Sequence, residues 1–254
     1  MRLTALPAFD DNYIWALQDS DGRAVIVDPG QAGPVLEAAA NGMEPAAILL
    51  THHHGDHIGG VPELLARWPS LPVFAPDDPR IPLDCNRVRD GDPVSLAGWS
   101  FEVLSVPGHT TSHIAYVGHG RLFCGDALFS LGCGRMFEGT APQMLASLRR
   151  LASLPADTLV CCGHEYTLAN AAFARQVDPT NAALQRRQLE VLDMRRQLLA
   201  TVPVPLASEL ATNPFLRTRE AAVVSAVEAR LGRRAADEVE VFAELRRWKD
   251  GFVA

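Results

Sequence analysis

The sequence has 254 residues, of which 48% are hydrophobic and 21% are charged. This composition supports a sizeable folded core and excludes an intrinsically disordered chain. The formal net charge is −7, and residues 1–165 contain 10 Arg against 19 Asp and Glu. This acidic balance argues against a nucleic-acid-binding protein. No apolar run reaches the roughly 18 residues of a membrane span, so we expect no membrane association and a cytoplasmic location.

Short apolar runs bounded by turn residues predict strands throughout the first part of the chain, at 13–17, 24–28, 47–51, 73–75, 101–106, 114–117, 122–124 and 158–162. Helical patterns lie between them, at 34–41, 61–67 and 142–151. This mixture predicts an α/β architecture. Helical patterns alone follow, at 168–177, 181–200, 219–231 and 237–249. We therefore predict a first domain over 1–165 and an all-helical domain over 166–254.

The strongest motif is His52-His53-His54-Gly55-Asp56-His57, which directly follows an apolar strand. Side chains two residues apart on extended backbone share a face, so His52 and His54 can meet at one centre. Gly55 allows a turn that directs Asp56 and His57 to a neighbouring position. Imidazole and carboxylate groups at this spacing are typical of a first-row metal site.

Three later segments place a His or an Asp just after an apolar strand, each time behind a glycine. These residues are His109, Asp126 and His164. Together with His52, His54, Asp56 and His57 they make seven donors, which exceeds the four ligands of one structural zinc. Two metal ions that share a carboxylate would use all seven. By contrast, we expect His53 to face away, His113 to form a local hydrogen bond and His119 to lie in a surface turn.

The His-x-His-x-Asp-His signature resembles that of the metallo-β-lactamase superfamily. Within it, the chain is similar to the hydroxyacylglutathione hydrolase (glyoxalase II) family over nearly its full length. Besides the signature, the likeness rests on segments at 9–15, 107–110, 132–135, 137–139, 163–167, 213–217 and 246–250. It implies an αββα metallo-β-lactamase sandwich followed by a C-terminal helical domain that completes the substrate site.

The resemblance also implies a role for each site residue. His52, His54 and His109 would bind one metal ion, Asp56, His57 and His164 the other, and Asp126 would bridge them. The glutathione part of a thioester would contact Arg135, Phe137, Tyr166, Arg246 and Lys249. Phe137 departs from relatives that have Tyr, so it offers packing without a hydroxyl donor. Lys249 is also the only lysine among 23 basic residues.

Two close divalent ions, most simply zinc with iron or manganese as options, can make a bridging hydroxide available at neutral pH. Such a hydroxide would attack a thioester carbonyl, with Asp56 and Asp126 as the catalytic carboxylates and Asp28 a candidate to hold a ligand imidazole. The expected reaction is hydrolysis of S-D-lactoylglutathione to glutathione and D-lactate, the second step of methylglyoxal detoxification. We expect a monomer whose partner is this small molecule.

Three other functions compete with this hypothesis. A persulfide dioxygenase on the same fold would hold one iron with three donors, a nuclease would need a basic groove, and a non-catalytic metal-binding protein would show no turnover. The seven donors and the basic C-terminal residues favour hydrolysis.

Overall fold

The computed structural model describes residues 1–96 and 98–253, which form two compact units. The first unit comprises Met1–Ser105 and Ser112–Gly125, and the second comprises Val106–Thr111 and Asp126–Ala254. Each unit has strands, helices and buried apolar side chains of its own.

Six strands of the first unit form one sheet in chain order: β1 (Arg2–Ala8), β2 (Asn12–Gln18), β3 (Arg23–Val27), β4 (Glu44–Leu49), β5 (Val73–Pro76) and β6 (Asn86–Val88). The first three strands pair antiparallel, and β3 to β6 pair in parallel. Six of the seven residues of β2 are buried. Burial on both faces explains the apolar run over residues 13–17 within this strand.

Three helices connect the parallel strands of this sheet: α1 (Gly33–Ala40), α2 (Gly55–Ile58) and α3 (Val61–Arg67). Val35 of α1 and Leu64 of α3 are fully buried in the same apolar cluster as Ile26 and Ile48 of the sheet. The short helix α2 begins directly after His54, and it carries Asp56 and His57.

The other strands of the first unit pair antiparallel in the order β7 (Pro93–Leu96), β8 (Trp99–Ser105), β9 (Ile114–Gly118) and β10 (Arg121–Gly125). Along β8 the residues Trp99, Phe101 and Val103 are buried, whereas Ser100 and Glu102 are exposed. This alternation is the period-2 pattern of a sheet with one buried face.

The second unit contains four short strands, β11 (Leu128–Phe129), β12 (Gly132–Cys133), β13 (Leu159–Cys162) and β14 (Val204–Pro205). Its helices are α4 (Ala141–Ala152), α5 (Thr167–Val177), α6 (Ala182–Arg196), α7 (Leu206–Thr212), α8 (Ala221–Leu231) and α9 (Glu238–Asp250). Asn181 and Asp237 cap α6 and α9 by accepting hydrogen bonds from first-turn N–H groups. Phe173 packs against Phe215 and Trp248, with ring centroids 6.0 and 5.5 Å apart.

The α/β architecture is confirmed, and each predicted strand and helix has a counterpart in the structure. The predicted helix over 181–200 was too long, because α6 ends at Arg196 and Leu198 has a φ of 58°. Helix α7 was missed because the prolines before it indicated only an interruption. The predicted boundary at 165 stays a prediction, and the compact units divide the chain differently, with residues 126–164 in the second unit.

None of the helices in the described part of the chain combines the length and the apolar character that a membrane crossing requires.

Candidate metal centre and ligand pocket

The loop after β4 is held by a buried carboxylate. Asp28 accepts hydrogen bonds from the Thr51 backbone N–H and the Thr51 hydroxyl, at 2.8 and 2.7 Å. Both residues are buried, and Asp28 has a φ of 51°. The next residues bring His52 Nε2 within 3.1 Å of His54 Nδ1, so the two imidazoles meet as the alternation predicted.

Asp28 also holds the ring of His57, whose Nδ1 lies 3.0 Å from Asp28 Oδ2. A hydrogen bond there places the ring proton on Nδ1, so a neutral ring presents its Nε2 lone pair. That Nε2 lies 3.5 Å from Asp56 Oδ2, which also accepts a hydrogen bond from Asn12 Nδ2 at 3.0 Å. The predicted contact of Asp28 with one of the candidate ligand imidazoles is therefore confirmed, while the metal-binding role of that imidazole stays a prediction.

The second unit brings its own three predicted donors together. Nε2 of His109 and Nε2 of His164 lie 3.5 and 3.3 Å from the same oxygen, Oδ2 of Asp126. All three side chains are buried. His109 Nδ1 lies 2.9 Å from the carbonyl oxygen of Arg135, which again leaves Nε2 as the lone-pair nitrogen of a neutral ring.

Two glycines shape the backbone around Asp126. Gly125 has a φ of 46°, and a Cβ there would lie 2.3 Å from the Thr51 hydroxyl oxygen, within the first unit. In the second unit, a Cβ on Gly134 would lie 2.0 Å from the carbonyl oxygen of Asp126. Neither position can accept a side chain without displacing the atoms beside it, which are the Thr51 side chain at Gly125 and the Asp126 backbone at Gly134.

These donors fit divalent first-row metal ions. In each unit, an imidazole whose outer nitrogen is hydrogen-bonded to oxygen turns its other nitrogen towards a carboxylate, which is the arrangement of a His ligand with its orienting partner. A cation would relieve the repulsion between that lone pair and the carboxylate. Ligand atoms of Asp28, His52 and His57 also lie within 4.8 Å of one another in the first unit.

A cavity of about 480 Å³ lies within the second unit. Its lining includes two of the predicted metal donors, His109 and Asp126. It also includes all five residues predicted to contact the substrate, Arg135, Phe137, Tyr166, Arg246 and Lys249. The structure thus gathers these five side chains around one cavity, while their contacts with a ligand stay a prediction.

Three basic side chains, Arg135, Arg246 and Lys249, line this pocket. Arg246 is buried, donates to the Cys133 carbonyl oxygen at 2.7 Å and pairs with Asp250 at 3.0 Å. Burial, with the charges of Arg246 and Arg135 nearby, lowers the pKa of Lys249 to about 8. Arg135 is more exposed, and its Nε lies 3.5 Å from Asp250.

Two aromatic rings of the pocket lie beside metal donors. Phe137 is 64% exposed, and its ring centroid is 5.3 Å from that of His109. Tyr166 stacks on His164 with centroids 4.7 Å apart and planes 8° from parallel. Both rings thus combine an exposed surface with a fixed position next to a buried imidazole.

His113 and His119 have the local contacts that their positions predicted, whereas the contact of His53 with Asp78 was not predicted. His113 Nδ1 lies 3.0 Å from the carbonyl oxygen of Ile114, and its ring stacks on His52 at 4.6 Å. His119 lies in the β9–β10 turn with a φ of 53° and accepts a hydrogen bond from the Ser100 N–H. His53 Nδ1 lies 3.5 Å from Asp78.

Sequence reasoning missed Asn12, Thr51 and Asp78 as supports of the metal-binding loop. Asp78 is buried, forms a salt bridge with Arg80 at 2.7 Å and accepts a hydrogen bond from the Ser112 hydroxyl. Thr51 had a signal because it directly precedes the histidine motif, and Asn12 had one because it lies in segment 9–15, which carries part of the family likeness. Asp78 lies outside these segments and far from the motif in the sequence, so only folding brings it near.

Comparison with known proteins places the chain in a class and then in a family. Residues 9–164 match the model of the metallo-β-lactamase superfamily, and residues 165–252 match that of the hydroxyacylglutathione hydrolase C-terminus. The chain is 67% identical over 253 residues to a hydroxyacylglutathione hydrolase of Xanthomonas euvesicatoria pv. vesicatoria (strain 85-10), covering 99% of each chain. The chain therefore belongs to the hydroxyacylglutathione hydrolase family of the metallo-β-lactamase superfamily.

Two solved structures share the fold. The B3 metallo-β-lactamase BLEG-1 superposes with a TM-score of 0.64 at 24% identity, covering 85% of this chain and 99% of that one. A di-iron-bound form of TTHA1623 superposes with a TM-score of 0.54 at 31% identity, covering 65% of this chain and 92% of the other. The prediction of a metallo-β-lactamase domain followed by a helical domain is thus confirmed. The prediction that His and Asp side chains bind divalent metal is also supported.

Proposed function

We propose that this chain hydrolyses 2-hydroxyacyl thioesters of glutathione and converts S-D-lactoylglutathione to glutathione and D-lactate. Its family consists of thioester hydrolases of this kind. The observation that carries the proposal is one cavity of the second unit, lined both by the donors His109 and Asp126 and by the cations Arg135 and Lys249. A glutathione thioester has a scissile carbonyl and two carboxylates, so it needs both kinds of group.

The proposed cofactor is a pair of divalent ions, zinc in the first instance, with iron or manganese as options. One ion would be held by His52, His54 and His109, the other by Asp56, His57 and His164, with Asp126 bridging. A related structure described as di-iron-bound supports a two-metal site on this fold. When bound, such ions supply an activated water and polarise the carbonyl of the substrate.

The protein groups prepare this chemistry by fixing positions and protonation states. Asp28 keeps the proton of His57 on Nδ1, and the Arg135 carbonyl oxygen does the same for His109. Both imidazoles are thereby oriented as ligands before substrate arrives. Asn12 Nδ2 fixes Oδ2 of Asp56 by a hydrogen bond, which limits the motion of this carboxylate.

Pocket residues are proposed to bind the peptide part of the substrate. Lys249 and Arg135 would pair with its carboxylates, while Phe137 and Tyr166 would pack against its backbone. The guanidinium group of Arg246 already binds the Cys133 carbonyl oxygen and Asp250. We therefore propose that it adds positive charge to the pocket and fixes Cys133 and Asp250 in position. We propose a monomer in the cytoplasm, where the five free cysteines stay reduced.

The test compares hydrolysis of S-D-lactoylglutathione with that of a small thioester lacking the glutathione peptide, alongside elemental analysis of the same preparation. We expect kcat/KM to be at least tenfold higher for the glutathione thioester and the metal content to approach two ions per chain. Equal kcat/KM values for the two thioesters would contradict the proposal that the enzyme recognises glutathione. One iron per chain with oxygen consumption on a persulfide would instead support the dioxygenase.

A further inference from the structure

Lys249 has a chemical property that its proposed role as a carboxylate contact does not use. It is the only lysine in the sequence, and it lies partly buried on α9 in the wall of the second unit's pocket. The same pocket is lined by Asp126 and His109. The chain's only lysine amine therefore lies in the cavity proposed to receive a thioester, which is an acyl donor towards amines.

Contacts within the second unit fix the position of this amine in the pocket wall. Its Nζ donates to the Ala169 carbonyl oxygen at 3.3 Å and lies 5.6 and 5.8 Å from the ring centroids of Phe173 and Phe252. These contacts favour the charged form, whereas burial favours the neutral form and lowers the pKa. Arg246 and Arg135 oppose its charge, and Asp250 is the carboxylate that favours it. With a pKa of about 8, the amine is neutral far more often at neutral pH than an ordinary lysine, whose pKa is about 10.4.

We propose that Lys249 is an acylation site, to which a thioester held in this pocket transfers its acyl group. The inference rests on the proposed function, which supplies the thioester. The neutral Nζ attacks the carbonyl carbon, a C–N bond forms, and the C–S bond breaks with its electron pair on sulfur. Glutathione leaves as the thiolate, and Nζ loses one proton to solvent. No oxidant, reductant or further reactant is needed.

Acylation would alter the pocket in a defined way. The amide product carries no charge, so the pocket loses one of the cations proposed to bind a glutathione carboxylate. Further thioester then binds more weakly, and KM rises as modification accumulates. Hydrolysis and acyl transfer compete for the same thioester molecule. The acylated fraction of Lys249 would therefore increase when thioester is supplied faster than it is hydrolysed.

The experiment incubates the full metal-loaded chain at pH 7.5 with S-D-lactoylglutathione, replenished so that it stays in excess. Nα-acetyl-lysine in the same solution provides the reference amine. Proteolysis and mass spectrometry then measure lactoyl transfer to each amine. We expect Lys249 to react at least tenfold faster than the reference, and S-methylglutathione, which has no acyl group to donate, to slow the reaction at Lys249 alone.

Lys249→Arg is the matched variant, since it keeps the positive charge and has no amine to acylate. Its KM, whatever the starting value, should stay constant during exposure, whereas that of the unaltered chain should rise with adduct formation. A Lys249 rate equal to that of the reference amine, or no protection by S-methylglutathione, overturns the inference. Hydrolysis is measured in the same samples. Normal hydrolysis without the adduct refutes only acylation, and the adduct without hydrolysis refutes only the proposed function.

Discussion

The buried imidazoles are oriented by oxygen atoms that lie outside the predicted ligand set. His57 is held by Asp28 and His109 by the backbone carbonyl of Arg135, so each ring has one nitrogen fixed as donor. The opposite nitrogen then faces a carboxylate, Asp56 in one case and Asp126 in the other. Preorganisation of this kind lowers the cost of assembling a metal site, because the tautomers need not change on binding.

Asp126 gives the sharpest test of the metal assignment. In Asp126→Ala, the carboxylate oxygen that faces both His109 and His164 is lost. We expect both ions to be lost together and turnover to fall at least a hundredfold, because a bridging carboxylate screens the repulsion between two cations. Elemental analysis and steady-state kinetics measure these effects. His53→Ala serves as the control, and two bound ions with normal turnover in Asp126→Ala would contradict the bridging role.

Removal of the Lys249 charge should weaken substrate binding more than catalysis. For Lys249→Ala we expect KM for S-D-lactoylglutathione to rise about tenfold, or about 1.4 kcal/mol, with kcat little changed. The estimate lies at the low end for a charged hydrogen bond because the side chain is only partly buried. Steady-state kinetics at low and moderate salt, with a small thioester as control, measure the effect. An equal change with both substrates would indicate a structural defect.

The lowered pKa of Lys249 predicts a pH dependence of KM. The proposed contact with a substrate carboxylate requires the protonated amine, so its contribution is complete well below pH 8 and is lost as pH rises through about 8. We expect KM for the glutathione thioester to rise several-fold between pH 7 and 9 after correction for spontaneous hydrolysis. In Lys249→Arg this rise should be absent, because a guanidinium stays protonated. A rise of equal size in that variant would assign the titration to another group.

Among the secondary structure elements, the β11–β12 hairpin shows how a distant helix shapes the pocket. Glu209 of α7 is fully buried and accepts hydrogen bonds from the Ser130 hydroxyl and the Leu131 N–H, at 2.8 and 2.7 Å. Asn213 Nδ2 donates to Glu209 at 3.0 Å and to the Gly132 carbonyl oxygen at 2.9 Å. Leu131 has a φ of 59°, so these bonds stabilise an otherwise unfavourable turn.

Burial raises the pKa of Glu209, and the hydrogen bonds oppose that effect. Glu209→Gln replaces one accepting oxygen by an N–H group, which faces the donors of the hairpin. We expect a loss of about 1–3 kcal/mol in the free energy of unfolding, because a buried donor loses its acceptor. Urea denaturation measures it, with the exposed Glu220→Gln as the matched control. Equal midpoints for the two variants would show that the hairpin does not depend on this carboxylate.

At the scale of the whole molecule, the second unit contains both predicted metal donors and the C-terminal helices. His109, Asp126 and His164 belong to the same compact unit as α6 to α9. A chain that ends at Ala169 keeps all seven donors but loses Glu209 and Asn213. We expect this fragment to unfold at a lower temperature and to bind less metal than the full chain, as measured by calorimetry and elemental analysis. Full metal content with unchanged stability would show that residues 1–169 form an independent domain.

The sequence by itself determined the donor types, the helices and strands around them and the family. These features depend on neighbouring residues: His52, His54, Asp56 and His57 lie within six consecutive positions, and periodicity and capping residues are local properties. Tertiary structure alone decided which imidazole Asp28 holds and which other groups pack around the donors and the pocket. Asp28 lies 29 residues from His57, and Glu209 lies 79 residues from Ser130. No short-range pattern encodes such pairs, because a buried carboxylate takes its partners from whichever segments pack around it.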